Sequence, residues 1–228
     1  MDYRRLAVPN NIVSPIWWRR GMRMDIPLRL RYMINDSYNR RYVRSRQIFD
    51  AASVVPESFT NASPNREFST PFMTVWLKNI DRIIAGARVD CRLFHFLDVG
   101  CGKGVAAIYA RDRFQFASVS GFDFEDPMVN IAKSNLALCR ARRPIGHVEF
   151  FHQDAGEIAL PKRRWFVFMF NPFSAPVMER FLANNITVLR ETGSVVGYAN
   201  SREIDVIKNF APRSITEIPR YRCAVIKF

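Results

Sequence analysis

The fold of this chain is decided by one stretch, Phe96-Leu97-Asp98-Val99-Gly100-Cys101-Gly102-Lys103-Gly104, which joins an apolar run to a glycine-rich turn. Glycines at alternate positions let the backbone turn tightly and approach a ligand without interference from a Cβ atom. The N-terminus of the helix expected after the turn favours a carboxylate. Two common nucleotide motifs do not fit: Val105 stands where G-x-G-x-x-G needs its third glycine, and Gly104 stands where a P-loop needs Ser or Thr.

A second polar signature follows in Gly121-Phe122-Asp123-Phe124, where Asp123 comes 19 residues after Gly104. An acidic residue at the end of the second strand, about 20 residues beyond a glycine turn, can accept hydrogen bonds from two ribose hydroxyls. Phe124 would then cover the face of an adenine ring, and Glu125 is the alternative acidic residue. The two signatures together indicate a site for an adenosine-containing ligand.

The organisation of the chain changes near residue 67. Beyond this point strand-like and helix-like segments alternate, which predicts an α/β fold with a doubly wound, mostly parallel sheet. A helix is expected after Pro71, with Thr70 as its cap, and another from Pro127 to about Arg142. The expected strands are Leu93 to Val99, Ala117 to Phe122, Val148 to Phe151, Trp165 to Phe170 and Gly193 to Tyr198, followed by a terminal antiparallel hairpin of Ile215 to Ile218 and Cys223 to Phe228. These make seven strands in a Rossmann-like sheet.

The first 66 residues form a basic, aromatic extension that we expect to be helical and irregular. Residues 1 to 46 hold eleven arginines and three aspartates, a net +8 within a total of +13. Leu28 to Phe49 is expected to form one or two short helices, and Ala51 to Arg66 is a predicted linker. The cluster could bind nucleic acid, an acidic protein or an anionic membrane, or serve as a solvated face. Trp17, Trp18 or Tyr38 could close a small-molecule pocket.

Composition excludes several classes of protein. The longest apolar runs are far shorter than the roughly 20 residues of a spanning helix, and no signal-peptide pattern stands at the N-terminus. Four scattered cysteines, without a C-x-x-C pair or a ligand-like histidine spacing, predict reduced thiols and no metal site. A cytoplasmic protein is therefore expected.

The pattern D-x-G-x-G-x-G after an apolar strand resembles motif I of the class I S-adenosylmethionine-dependent methyltransferases. By this resemblance, Asp98 would hold the amino group of the cofactor, and the turn would wrap its methionine portion with Gly100, Gly102 and Gly104 as the wall. The cofactor-binding set also takes in Cys101 and Lys103 of the turn, and Asp123 with Phe124. The segment His152-Gln153-Asp154-Ala155 is similar to the family segment that contacts the adenine, which implies this role for Asp154 and Ala155.

The segment Phe170-Asn171-Pro172-Phe173 resembles the N/D-P-P-Y/F motif of amino-directed methyltransferases. In that family the Asn side-chain oxygen and a proline carbonyl accept hydrogen bonds from a nitrogen, and the aromatic ring packs on the acceptor. Here one proline replaces two, and the N-P-F form is similar to a broad group of uncharacterised bacterial class I enzymes. The resemblance implies that Asn171, Pro172 and Phe173 position the methyl acceptor.

The predicted function is transfer of a methyl group from S-adenosylmethionine, with nitrogen as the expected acceptor atom. The acceptor molecule stays open among a nucleic-acid base, a protein amine and a small molecule. Two alternatives also stay open at this point. One is a cofactor-binding or scaffold protein without turnover, and the other is a nicotinamide-dependent oxidoreductase on the same fold.

Overall fold

The computed structural model describes residues 26–50 and 73–228, and within them a single seven-stranded sheet has the order β3-β2-β1-β4-β5-β7-β6. The first five strands in the chain are parallel to one another, and β7 is antiparallel to both β5 and β6. The strands are β1 (His95–Val99), β2 (Ser118–Asp123), β3 (Glu149–His152), β4 (Trp165–Phe170), β5 (Val195–Ala199), β6 (Ser214–Ile218) and β7 (Cys223–Lys227). The predicted Rossmann-like sheet with a terminal antiparallel hairpin is confirmed.

The described part of the chain has six α-helices, of which α1 packs on other helices and the rest cover the two faces of this sheet. They are α1 (Ile26–Arg46), α2 (Leu77–Ala87), α3 (Val105–Arg113), α4 (Asp126–Arg142), α5 (Ala175–Thr192) and α6 (Ile204–Asn209). Apolar residues of α2, α3 and α4 share one core with one face of the sheet, whereas those of α5 and α6 share a second core with the other face. None of these described helices is both long enough and apolar enough to cross a membrane.

Strand β4 shows why the chain folds around this sheet. All six of its residues are apolar, and five of them are buried. Phe166 and Phe168 pack into the core below α2 and α3, and Val167 and Met169 pack into the core below α5. A strand that is apolar on both faces needs helices on both faces, which is the arrangement that parallel sheets adopt.

The start of α2 differs from the prediction. Residues 73–76 are not helical and the helix begins at Leu77, whereas Thr70 and Pro71, the predicted start, lie outside the described residues. The cause is a contact from α1: the Asn39 side-chain amide donates to the Val75 carbonyl oxygen at 2.7 Å, and its oxygen accepts from the Leu77 N–H at 3.0 Å. Asn39 thus caps α2 from another helix, which no local pattern reveals.

Helix α1 forms one continuous helix and packs on the domain through polar contacts. The Tyr38 and Tyr109 hydroxyls are 2.9 Å apart, and Arg46 forms a buried ion pair with Asp112 near the end of α3. The Tyr42 hydroxyl also donates to Asp112, at 3.3 Å. At least this part of the basic extension is therefore bound to the face formed by α2 and α3. The predicted linker from 51 to 66 and the Trp17–Trp18 pair lie outside the described residues.

Candidate active site

A cleft of about 980 Å³, including its open mouth, lies at the carboxyl ends of β1, β2 and β4. Ligands of open α/β sheets bind at this edge, where the strand order reverses between β1 and β4. Of the residues predicted from sequence, ten line the cleft: Asp98, Gly100, Cys101, Gly102, Asp123, Phe124, Asp154, Ala155, Pro172 and Phe173. Signatures from four separate strand ends are therefore brought together around one cleft.

The glycines of the turn have two different roles. Gly100 has φ +69°, and a Cβ atom there would lie 2.5 Å from Cβ of Pro172, so only glycine lets the turn meet the Asn-Pro segment this closely. Gly104 has φ +77°, and its Cβ would lie 2.6 Å from the ring of Phe150. Gly104 therefore serves the packing of α3 against β3, and the structure places it away from the cleft wall.

Lys103 also lies away from the cleft wall, since its side chain is buried against the end of the basic extension. The Lys103 ammonium lies 5.4 Å from the centre of the Phe49 ring. The Asn135 amide donates to the carbonyl oxygens of both Lys103 and Phe49, at 2.9 and 3.1 Å. The geometry thus gives Lys103 a structural position, in place of the cofactor contact predicted for it.

Asp123 stands at the end of β2, where its carboxylate organises the turn. Its two oxygens accept from the N–H groups of Gly102 at 2.8 Å and Glu125 at 3.0 Å. Burial raises the pKa of Asp123 to about 6, and these backbone hydrogen bonds oppose the rise because they favour the charged form. The carboxylate therefore connects the glycine turn to the loop after β2, at the wall of the cleft.

Asp98 is the second buried carboxylate, at the end of β1. It accepts from the Ala107 N–H at 3.2 Å, in the first turn of α3. Burial raises the pKa of Asp98 to about 7, the Ala107 hydrogen bond opposes the rise, and the neighbouring charge of Asp123 adds to it. A cationic group in the cleft would offset both the cost of burying the charged carboxylates and the repulsion between them.

The loop after β3 forms another side of the cleft and carries the predicted adenine contacts. The Gln153 N–H donates to the Asp123 carbonyl oxygen at 3.0 Å, and His152 Nε2 donates to the Phe124 carbonyl oxygen at 2.8 Å. Asp154 Oδ1 accepts from the Gly156 N–H at 2.7 Å, which holds the loop in a tight turn. His152 is thus the last residue of β3, and it supports the loop bearing Phe124.

The segment after β4 forms the last side of the cleft. Asn171 has φ +42°, a left-handed conformation that is uncommon outside glycine and often marks functional sites. The Tyr198 hydroxyl donates to the Asn171 side-chain oxygen at 3.2 Å, and the Glu203 N–H donates to the Tyr198 hydroxyl at 3.3 Å. Pro172 and Phe173 line the cleft, whereas Asn171 is buried directly behind them.

Several lining residues were not predicted from the sequence. Met73, Thr74 and Val75 reach the cleft from the segment before α2, and the Thr74 hydroxyl donates to the Asp50 carboxylate. Nothing in their local sequence indicates this position. Gln153 and Phe170 also line the cleft; both stand inside segments quoted from the sequence, where no role was predicted for them.

The chemistry of the lining fits an adenosyl sulfonium better than a dinucleotide. Within the described residues, the wall contains three carboxylates, Asp98, Asp123 and Asp154, and neither lysine nor arginine. Carboxylates accept hydrogen bonds from ammonium, hydroxyl and amine groups, all of which S-adenosylmethionine carries. A pyrophosphate would instead lie against buried carboxylates, an unfavourable contact between like charges.

Comparison with known proteins agrees with this geometry. Residues 96–193 match the family model described as a methyltransferase domain, and no curated protein matches the chain. A predicted N6-adenine-specific DNA methylase from Listeria monocytogenes has a similar fold, with 11% identity and a TM-score of 0.50 over 68% of this chain and 51% of that one. An RNA methyltransferase from Salinibacter ruber, in complex with S-adenosylhomocysteine, is 19% identical, with a TM-score of 0.47 over 69% and 92%.

The matched segment runs from β1 through α5 and includes the glycine turn, Asp123, Asp154 and the segment Asn171-Pro172-Phe173. Sheet order, cleft position and lining chemistry agree with the family whose model it matches. Over residues 96–193 this chain therefore matches a methyltransferase domain, on a Rossmann-like α/β fold whose cleft suits S-adenosylmethionine as the cofactor.

Proposed function

We propose that this enzyme transfers the methyl group to a nitrogen atom, with Asn171, Pro172 and Phe173 positioning the acceptor. The observation that carries the proposal is the contact between the two motifs. Pro172 lies so close to Gly100 that no Cβ fits between them. The acceptor segment and the cofactor turn therefore share one boundary within the cleft.

The roles proposed for the cofactor residues follow from their places in the wall. Asp98 would hold the ammonium group of the methionine portion, and Asp123 would accept from the ribose hydroxyls. Asp154, Ala155 and Phe124 would enclose the adenine, with Cys101 and Gly102 as backbone wall. All seven positions line the cleft, after the strands β1, β2 and β3.

Asn171 is suited to orient an acceptor nitrogen. Its side-chain oxygen accepts a hydrogen bond from the Tyr198 hydroxyl at 3.2 Å. The same bond holds the side chain in one orientation, so the acceptor would meet a fixed partner. We propose that Asn171 and the adjoining backbone carbonyls keep the nitrogen lone pair directed into the cleft, while the ring of Phe173 packs against the acceptor.

Positioning is the main contribution expected from the protein. The cofactor supplies a methyl group that is already strongly electrophilic, so the side chains need not create a powerful nucleophile. Pre-organised geometry of this kind can contribute roughly 7–11 kcal/mol. An acceptor amine that arrives neutral needs no dedicated base, and we assign no general acid or base among the residues of the cleft.

The test is a transfer assay with radiolabelled methyl donor and three separated acceptor pools: nucleic acid, protein and small metabolites. The labelled product is then identified by mass spectrometry. We expect an N-methyl group in one pool, and about a hundredfold slower labelling with the Asn171→Ala variant. An O-methyl or C-methyl product from the wild-type enzyme would overturn the proposal.

A further inference from the structure

The opposite edge of the sheet from the cleft carries a dense row of positive charge. At this edge the parallel strands begin and β7 ends, and the connections that lead into each strand are exposed there. We define the amino-edge surface as the exposed basic residues of these connections: Arg88, Arg92, Arg113, Arg140, Arg142, Arg143, Lys162, Arg163, Arg164, Arg190 and Arg213.

Acidic residues do little to neutralise the amino-edge surface. Four exposed ones stand among these connections: Asp90, Glu149, Glu157 and Glu191. Asp90 pairs with Arg92 and Glu191 pairs with Lys162, each at 2.8 Å, so a large positive excess is left on the rest of the row. Asp112, in the last turn of α3, is taken up by its buried pair with Arg46.

Two arginines of the row are held in place while they stay exposed. Arg164 Nε donates to the Thr192 carbonyl oxygen at 2.9 Å, and its guanidinium lies 5.6 Å from the Phe94 ring centre. The Arg190 guanidinium donates to the Phe210 carbonyl oxygen at 2.7 Å. Side chains fixed by backbone carbonyls lose less conformational freedom when they bind an anion.

We propose that the amino-edge surface binds the phosphate backbone of a nucleic acid. Ten of its eleven basic residues are arginines, whose planar guanidinium groups match phosphate oxygens with two parallel hydrogen bonds. The row follows seven strands, which at the usual strand spacing makes it roughly 30 Å long. A row of that length fits an extended polyanion and exceeds what one phosphate group needs.

The amino-edge surface is electrically separate from the cleft. Strands of five or six residues place the two edges roughly 17–20 Å apart, about twice the screening length in physiological salt. The lining of the cleft contains carboxylates and, within the described residues, no lysine or arginine. Phosphates near the cleft would find no cation in its wall, so the binding energy for a polyanion would come from the other edge.

A lipid surface is less suited to this row. Interfacial binding needs a continuous apolar face beside the charges. The exposed apolar side chains that cluster at helical spacing, Leu30, Met33 and Ile34, lie on α1. The proposal concerns binding alone and does not depend on which atom receives the methyl group.

The test uses the full chain and fluorescein-labelled single-stranded RNA, with duplex DNA of the same length and vesicles of phosphatidylcholine and phosphatidylserine as further probes. The variant Arg142→Gln/Arg143→Gln/Arg163→Gln removes three charges from the row. The control Arg29→Gln/Arg40→Gln/Arg41→Gln removes three charges from α1, which keeps net charge equal. Fluorescence anisotropy is measured across a series of salt concentrations.

We expect the wild-type protein to bind RNA or DNA with a steep salt dependence. The row variant should bind about tenfold more weakly, with its logarithmic salt slope for RNA reduced by about 2 if each arginine contacts one phosphate, and the α1 control should change little. Equal losses in the two variants, or tighter binding to vesicles than to nucleic acid, would overturn the proposal. Calorimetry with S-adenosylhomocysteine should give unchanged affinity in both variants, which separates this outcome from a failure of the methyltransferase site.

Discussion

The two halves of the cleft are built in different ways. The cofactor half, after β1, β2 and β3, is joined by backbone groups: the Gly102 and Glu125 N–H groups bind one carboxylate, and the Gln153 N–H binds the carbonyl of the same Asp123. The acceptor half, after β4, is held by a side-chain contact from β5, the hydrogen bond from Tyr198 to Asn171. The main-chain donors of the cofactor half are present whatever side chains surround them. The acceptor half depends on one particular pair of side chains, Tyr198 and Asn171.

The largest effect is expected from Asp123→Ala, which removes the centre of the cofactor half. The variant leaves two backbone N–H groups without their acceptor and loses the proposed ribose contacts, so affinity for S-adenosylhomocysteine should fall about a hundredfold or more. Isothermal titration calorimetry measures the change. The matched control is Asp126→Ala, three positions further and exposed, which should bind as the wild type does. Equal affinity in both variants would remove Asp123 from the site.

Asn171→Ala should affect the acceptor half alone. We expect cofactor affinity within about threefold of wild type and a loss of about a hundredfold in kcat, because the acceptor loses its oriented partner. Tyr198→Phe keeps the ring but removes the hydroxyl that holds Asn171, and about a tenfold fall in kcat is expected. Steady-state kinetics and calorimetry measure the two quantities. Loss of cofactor binding in Asn171→Ala would show that the halves are not separate.

Gly100→Ala tests the boundary between the halves. Its Cβ would meet Pro172, and the residue has φ +69°, so both crowding and backbone strain are expected, at about 2–3 kcal/mol of stability together with reduced kcat. Gly193→Ala is the control, because its φ is +62° and nothing lies within 4 Å of the added Cβ. It should lose about 1 kcal/mol and keep full activity. Denaturant unfolding distinguishes the two, and equal losses would mean that Pro172 moves away freely.

The smallest effect is a pH dependence in the cofactor half. Asp98 has a pKa of about 7, raised by burial, so it holds a proton in much of the protein at pH 6. An ammonium group favours the ionised carboxylate, so S-adenosylhomocysteine should bind up to about tenfold more tightly at pH 8 than at pH 6, with release of a proton. Calorimetry in buffers of different ionisation enthalpy detects that proton. An affinity that does not vary with pH would place the ammonium away from Asp98.

Without ligand, the raised pKa of Asp98 makes the stability of the protein fall as pH rises, the opposite of its effect on ligand affinity. A carboxyl whose pKa is higher when folded binds more protons in the folded state, so its contribution is fully present below pH 3.8 and is lost as pH rises through about 7. Thermal unfolding between pH 6 and pH 8 should therefore show a lower Tm at pH 8 from this group. Adding S-adenosylhomocysteine should reverse the trend.

The sequence predicted most of the cofactor half because its signals are local. The glycine spacing, the acidic residue 19 positions on, and the apolar run of β4 each depend on neighbours in the chain. The bounds of β4 agree with the prediction, and those of β1, β2, β3 and β5 differ from it by one or two residues. The short helix α6 was not predicted, since its six residues are too few to show a helical period.

Sequence by itself determined the class of fold, the edge at which the ligand binds and the carboxylates that face it, because periodicity and turn chemistry act between near neighbours. Only the tertiary structure decided the start of α2, the burial of the Lys103 side chain and the hydrogen bond from Tyr198 to Asn171. It also gathered arginines from the connections into six separate strands into one row. Each of these depends on residues far apart in the chain, whose distances are set when the two cores close around the sheet.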